Sequence, residues 1–303
     1  MSGFRDQVFY DSSRDNGFFS PITATANFCE EDYAISYYIG EFISTLSNVA
    51  YIYFAIYPPK LSLQSKPYGK TSNSRMIWDV HTASLMSIGI TSAIFHASLR
   101  SFPQFLDESS MYFLVAGFSF DLLTTSYRTI AGKPAITKHH RTLAATVILL
   151  AICTTSVITL VTGDLIIHTF VFATGILICG IKMSGLIRKH DKSTRSKLYW
   201  HLFTADMALN LGLGLWIIDC TPAYCAMLRN FRGQLIDTFP APLGLLLGFV
   251  TELHGWWHFF TARAAAEFIS LIRYLTTTVP DELDRKESKV NGTVNGKVNG
   301  KAT

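Results

Sequence analysis

The sequence predicts an all-α protein, a bundle of seven transmembrane helices with its N-terminus luminal and its C-terminus cytosolic. Three observations predict it. Only 16% of the 303 residues are charged and 49% are apolar, whereas a soluble domain carries about 25% charged residues. The apolar residues gather in runs of about 20, long enough to cross a hydrocarbon core. The basic residues concentrate in alternate connections between those runs, the pattern of an oriented membrane protein. The net charge of +4 is modest and spread over loops, which argues against nucleic acid as a partner and for the bilayer.

Residues 1–34 read as a luminal N-terminal segment. They lack the apolar stretch of a cleavable signal, so the first span is expected to do the targeting. Residues 35–273 carry the seven spans, roughly Tyr37–Tyr57, Ile77–Ala97, Phe105–Ser126, Leu143–Val161, Leu165–Leu186, Tyr199–Ile218 and Leu247–Leu271. Backbone groups in lipid must be satisfied internally, and runs this long without two-residue alternation are helices, not barrel strands. Residues 274–303 end in NGTVNGKVNGKAT, a polar near-repeat expected to be a disordered cytosolic tail.

Orientation follows from charge. The loops after spans 1, 3 and 5 hold Lys60, Lys66, Lys70 and Arg75, then Arg128, Lys133, Lys138 and Arg141, then Arg188, Lys189, Lys192, Arg195 and Lys197. The opposite loops hold only Arg100, Arg229 and Arg232. Positive loops stay cytosolic. The same orientation puts Cys29, Cys220 and Cys225 on the luminal side, where disulfides persist and two of the three can pair.

Ionisable groups inside spans are costly and raise a functional hypothesis. His254 and His258 share one face of span 7, with Cβ atoms about 6 Å apart. Such a pair can also be two hydrogen-bonded histidines in an aromatic packing helix, but depth favours a site. His96 closes span 2 at its luminal end, and His254 and His258 fall in the luminal third of span 7. Three imidazoles in one layer can hold zinc and leave a fourth position open, as catalytic zinc requires. Asp107 opens span 3 in the same layer, and Ser92 lies one turn before His96. With zinc acidifying a water, Asp107 can shuttle the proton and Ser92 can hydrogen-bond the oxyanion. Glu30, Glu31, Asp32 and Asn27 precede span 1 and Glu41 lies in its first turns. They form an oxygen-rich set suited to calcium or, more simply, a solvated helix entry.

Together these residues resemble the alkaline ceramidase family. The resemblance runs through NFCEEDYAISYYIGEFISTLSN, SAIFHASLRSFPQFLDESSMYF and ELHGWWHFFT. It implies zinc on His96, His254 and His258, with Ser92 and Asp107 in the mechanism. It also implies calcium on Asn27, the backbone of Phe28, Glu30, Asp32 and Glu41. The family often has Asp-Trp where Asn27-Phe28 stand and Asn where Asp32 stands, so the carboxylate lost at one position returns at the other. The resemblance further implies a Cys29–Cys225 disulfide with Cys220 spare, a membrane enzyme of the endoplasmic reticulum or Golgi, and hydrolysis of the ceramide amide to sphingoid base and fatty acid, with the reverse condensation chemically allowed. A weaker likeness extends to adiponectin-receptor-type seven-helix proteins, where the same zinc layout would serve a receptor.

Overall fold

A computed structural model describes residues 17–61, 63, 79–125, 137–240 and 242–278. The predicted tail beyond 278 and the basic stretches 64–78 and 126–136 lie outside the described residues. Among these, every regular element is a helix. In chain order they are α1 (Phe42–Ser47), α2 (Val49–Ile56), α3 (Val80–Ser98), α4 (Ser101–Thr124), α5 (Lys138–Thr162), α6 (Leu165–Ile187), α7 (Lys192–Cys220), α8 (Pro222–Thr238), α9 (Leu243–Val250) and α10 (Leu253–Thr277).

Three helices, α5, α6 and α7, are long and apolar enough to cross a membrane. Their outer faces show why this is a membrane protein. Leu150, Val161, Ile166, Phe170 and Trp200 are each more than 60% exposed. Soluble monomers rarely present contiguous apolar surface on this scale. The segments read from the sequence as the remaining spans overlap α1 plus α2, α3, α4 and α10, with two differences of shape. The first span breaks at Asn48 between α1 and α2. The last does not run on from Leu247, because the chain stops at Thr251 and restarts at Leu253 with Glu252 as N-cap. The connection after α7 also contains a full helix, α8, begun by Pro222 at its first position, where proline's fixed φ and missing N–H suit a helix start.

Buried α10 is the hub of the bundle. It packs against α7, α2, α1, α3, α4 and α6, and Ala262, Ala264, Ala266, Leu271, Ile272 and Leu275 are essentially inaccessible. Small residues on it let neighbouring helices approach closely, which is how helices associate where lipid removes the hydrophobic drive. At the end of α10 opposite the histidines, Arg273 donates to both carboxylate oxygens of Asp79 at 2.7 and 2.8 Å and to Thr82 Oγ1 at 2.6 Å. Asp79 also caps α3 by accepting from Thr82 N–H.

At its other end α3 finishes at a tight corner into α4, with Leu99 in the left-handed conformation (φ 52°). The last carbonyls of α3 need partners, and the N-terminal segment supplies them. Gly40 N–H donates to Ala97 O, Glu41 N–H to His96 O, and the Thr23 and Ala24 N–H groups to Leu99 O. A Cβ on Gly40 would lie 2.6 Å from the Leu99 side chain and 3.0 Å from His96 O, so glycine is needed for this approach. A Cys29–Cys225 disulfide then ties the segment to α8. Arg229 on α8 donates to Cys29 O at 3.0 Å and Glu30 O at 3.3 Å.

Gly89 marks the closest approach of α3 to α2. An added Cβ would sit 2.9 Å from Tyr51 Cβ and 3.0 Å from Asn48 O. Gly89→Ala is expected to destabilise the bundle by about 1–3 kcal/mol through overpacking, read as a lower melting temperature in detergent. Gly185→Ala, where an added Cβ meets nothing within 4 Å, should be neutral or slightly stabilising because alanine favours helix. Equal melting temperatures for the two variants would show that α2 and α3 are not in contact at Gly89.

Candidate metal centre

His96 lies one turn before the α3–α4 corner, and His254 and His258 occupy the first turns of α10. Closing the bundle brings the three together. One ring nitrogen from each lies within 4.8 Å of the others, and all three residues are buried. The ring centroids are 4.6 to 4.9 Å apart. Among the described residues this is the one group of histidine, cysteine and carboxylate side chains with the spacing of a metal site.

Two of the three imidazoles, His96 and His258, are held from outside through Nδ1. His96 Nδ1 bonds the Glu41 carboxylate, and both groups are fully buried. His258 Nδ1 bonds Ser47 Oγ at 2.7 Å and is within reach of Ser44 O. His254 Nδ1 has the Asp219 carboxylate at 4.0 Å and takes no closer hydrogen bond. Asp219 itself is fixed by the backbone N–H of His254 and that of Cys29, the latter at 3.0 Å. Outer partners on Nδ1 leave Nε2 of His96 and His258 as the inner nitrogen, the arrangement that orients metal-ligating histidines. The donor set thus fits a divalent ion that prefers nitrogen ligands, zinc foremost.

Ser92, Asp107, His96, His254 and His258 all line one cavity of about 680 Å³, and the Ser92 hydroxyl bonds the Asp107 carboxylate. Away from this polar end the walls are mainly apolar, with Ile88, Met111, Phe172, Ile176, Ile181 and Leu202, interrupted by Ser184, Arg188, Asp206 and Asn210. The cavity follows α6 from Leu165 to Arg188, about 35 Å of helix, comparable with the ~30 Å hydrocarbon core of a bilayer.

The oxygen-rich set meets this centre from the side of the N-terminal segment. Glu30 caps α1, accepting from Ile43 N–H at 2.6 Å and from Ser44 N–H and Oγ at 2.7 and 2.8 Å. Burial raises its carboxyl above the usual carboxylate range, and these donors pull it partly back. Asp32, Glu30 and Asp219 all act electrostatically on Glu41, whose Oε1 is buried with no hydrogen bond. An orphaned carboxylate oxygen among other carboxylates fits a hard cation. Phe28, read from the sequence for its backbone alone, adds more. Its N–H bonds Glu41, and its ring stacks on His254 with centroids 3.7 Å apart. The structure thus attaches Glu41 to His96 as well as to the oxygen-rich set.

Asp219 escaped the sequence reading. The argument from position along a helix that selected Asp107 applies equally to it, since it lies in the last turn of α7, beside the histidines. Ser44 and Ser47 carried no such signal, because their role depends on α1 lying against α10.

The chain is thus a helical membrane protein with a candidate three-histidine metal centre at one end of a long, mainly apolar cavity. The sequence matches the Ceramidase family across residues 20–292, and the chain belongs to that family. It is 25% identical over 271 residues to alkaline ceramidase YPC1 of Saccharomyces cerevisiae, covering 88% of this chain and 81% of that protein. It is likewise 25% identical over 261 residues to mouse alkaline ceramidase 3, covering 86% of this chain and 87% of that one. A Drosophila melanogaster alkaline ceramidase is 35% identical over 102 residues, covering 33% and 34%.

Loss of an outer-shell partner typically weakens metal binding about 10–100-fold. Glu41→Ala and Asp219→Ala are each expected to do so, measured by competition with a chelating metal indicator. Wild-type metal affinity in both variants would mean that the carboxylates do not orient His96 and His254.

Proposed function

We propose that the protein is an intramembrane, zinc-dependent amidase that hydrolyses ceramide to a sphingoid base and a free fatty acid. The observation that carries this reading is the joint presence of the three histidines, Ser92 and Asp107 at the polar end of one long apolar cavity. Membership of the ceramidase family supports the substrate class. The seven-span topology, with a luminal N-terminus and cytosolic C-terminus, follows from the basic loops and is supported by the match of predicted spans to helices. Residence in the endoplasmic reticulum or Golgi accords with a sphingolipid substrate and a luminal disulfide.

His96, His254 and His258 would hold the zinc, which when bound supplies Lewis acidity to acidify a water and polarise the amide carbonyl. Asp107 takes the proton as the water oxygen bonds to the carbonyl carbon. Ser92, whose hydroxyl donates to Asp107, orients that carboxylate; once Asp107 carries the proton, the hydroxyl is free to donate to the oxygen that gains charge. An amine is a poor leaving group until protonated, so Asp107 returns the proton to nitrogen as the C–N bond breaks. The products are a carboxylic acid and a free sphingoid amine. The same groups serve the reverse condensation by microscopic reversibility. The apolar walls hold the two alkyl chains.

Calcium is assigned to Asn27, the Phe28 backbone, Glu30, Asp32 and Glu41. Burial disfavours the charge on Glu30, and a cation beside it would favour the ionised form. Through Glu41 and the Phe28 ring, ordering of residues 27–32 would be felt at His96 and His254.

Purified protein is expected to release sphingoid base from ceramide in detergent without a partner, and to carry one zinc per chain. His258→Ala should lose metal and activity together. Asp107→Asn should retain zinc and lose turnover by about 10²–10⁴-fold, the usual contribution of a general acid–base group. Loss of zinc in Asp107→Asn would make Asp107 a ligand. Full turnover in this variant would remove it from proton transfer.

A second prediction concerns the oxygen-rich set. Asp32→Ala should raise the calcium concentration needed for half-maximal activity while zinc content stays at the wild-type level. Activity indifferent to calcium in the wild type would reject the assignment.

A further inference from the structure

Two polar side chains in the cavity wall close to Asp107 have no part in the hydrolysis. Glu108 on α4 and His168 on α6 both line the cavity beside Asp107. Glu108 Oε1 accepts from Gln104 Nε2 at 2.7 Å, and Gln104 Oε1 is in turn fixed by Thr25 N–H at 2.8 Å. Its other oxygen, Oε2, lies 4.0 Å from His168 Nδ1, too far for a direct hydrogen bond. His168 is only 5% exposed, and among the described residues its Nδ1 has no hydrogen-bond partner. Phe172 stacks on the ring at 6.2 Å with a 7° tilt, and Tyr112 lies against it at 4.9 Å. The ring is therefore oriented by packing, with its polar atom left unmatched. A buried polar group without a partner is costly, and a ligand that supplies the partner recovers that cost.

We propose that Glu108 and His168 form a subsite that binds one hydroxyl of the sphingoid head group, the hydroxyl donating to Glu108 Oε2 and accepting from His168 Nδ1–H. The inference rests on the ceramidase reading above and adds how the substrate is recognised. An oxygen about 2.8 Å from each of these atoms bridges their 4.0 Å gap with an angle near 90°, close to what a hydroxyl adopts as simultaneous donor and acceptor. A sphingoid base carries hydroxyls on the carbons either side of the one bearing the amide nitrogen. With the amide beside Asp107, a neighbouring hydroxyl falls near the adjacent Glu108. The subsite selects N-acyl lipids that bear this hydroxyl over amides that lack it.

The test compares N-acylsphingosine with its 1-deoxy and 3-deoxy analogues on wild-type protein, His168→Phe and Glu108→Gln. His168→Phe keeps an aromatic ring between Tyr112 and Phe172. The wild type should favour the parent over one of the analogues by about 10–100-fold in kcat/KM, the worth of a hydrogen bond to a charged group. In His168→Phe that preference should fall to within a few-fold, because the parent loses activity while the deoxy analogue keeps it. Glu108→Gln, which keeps the acceptor but not the charge, should fall between. Equal wild-type rates on all three lipids would overturn the subsite. So would a parallel loss on parent and analogues in His168→Phe, the signature of a packing role. If the wild type released no sphingoid base from any N-acyl lipid, the ceramidase reading itself would fail and the subsite with it.

Discussion

Three imidazoles packed around one point inside an apolar bundle are stable only if their outer nitrogens are engaged and their inner nitrogens have a ligand. Buried polar groups without partners cost more than most packing contacts return. Much of this fold answers that constraint. Glu41 and the Ser44–Ser47 turn, both from the start of α1, bond His96 and His258, and Asp219, from the end of α7, holds the backbone N–H of His254. The first span breaks at Asn48, and α10 starts afresh at Leu253 after Glu252. These interruptions put short-range backbone and side-chain partners beside His258 and His254 in place of uninterrupted apolar helix.

The N-terminal segment is part of the same solution. It satisfies the last carbonyls of α3, lays Phe28 on His254 and delivers Glu41 to His96. It stays in place through the Cys29–Cys225 disulfide and the two bonds from Arg229. Beside it, Arg232 donates to Glu252 at 2.6 Å, so α8 is tied to the entry of α10 as well. A buried pair of this kind is weak support for stability but costly to break from one side. Its location explains why the connection after α7 is a helix with fixed contacts and not an open loop.

Polarity along the cavity is graded. At one end lie the histidines, Ser92 and Asp107, with Glu108, Gln104 and His168 beside them; beyond are apolar walls along α6 and α7. Lipid pockets with a few placed polar groups in an apolar lining bind the chain non-specifically and the head group specifically. On the proposed function, this division would let one site hold alkyl chains of varied length while fixing the bond to be cut.

Composition and hydropathy alone determined that the chain is helical and embedded in a membrane, because lipid leaves few ways to satisfy a backbone over runs of about 20 apolar residues. The i, i+4 spacing of His254 and His258, and the depth of His96, Ser92 and Asp107, were legible for the same reason. Helical periodicity and a fixed rise per residue turn sequence distance into place. The breaks at Asn48 and Thr251–Glu252 were not legible, since each depends on contacts between helices and not on a local breaker such as proline. Asp219, Ser47 and the Phe28 ring could be assigned only by tertiary structure. Their roles arise where α7, α1 and the N-terminal segment converge on α10 from 35 to 226 residues away in sequence, and no local spacing encodes that meeting.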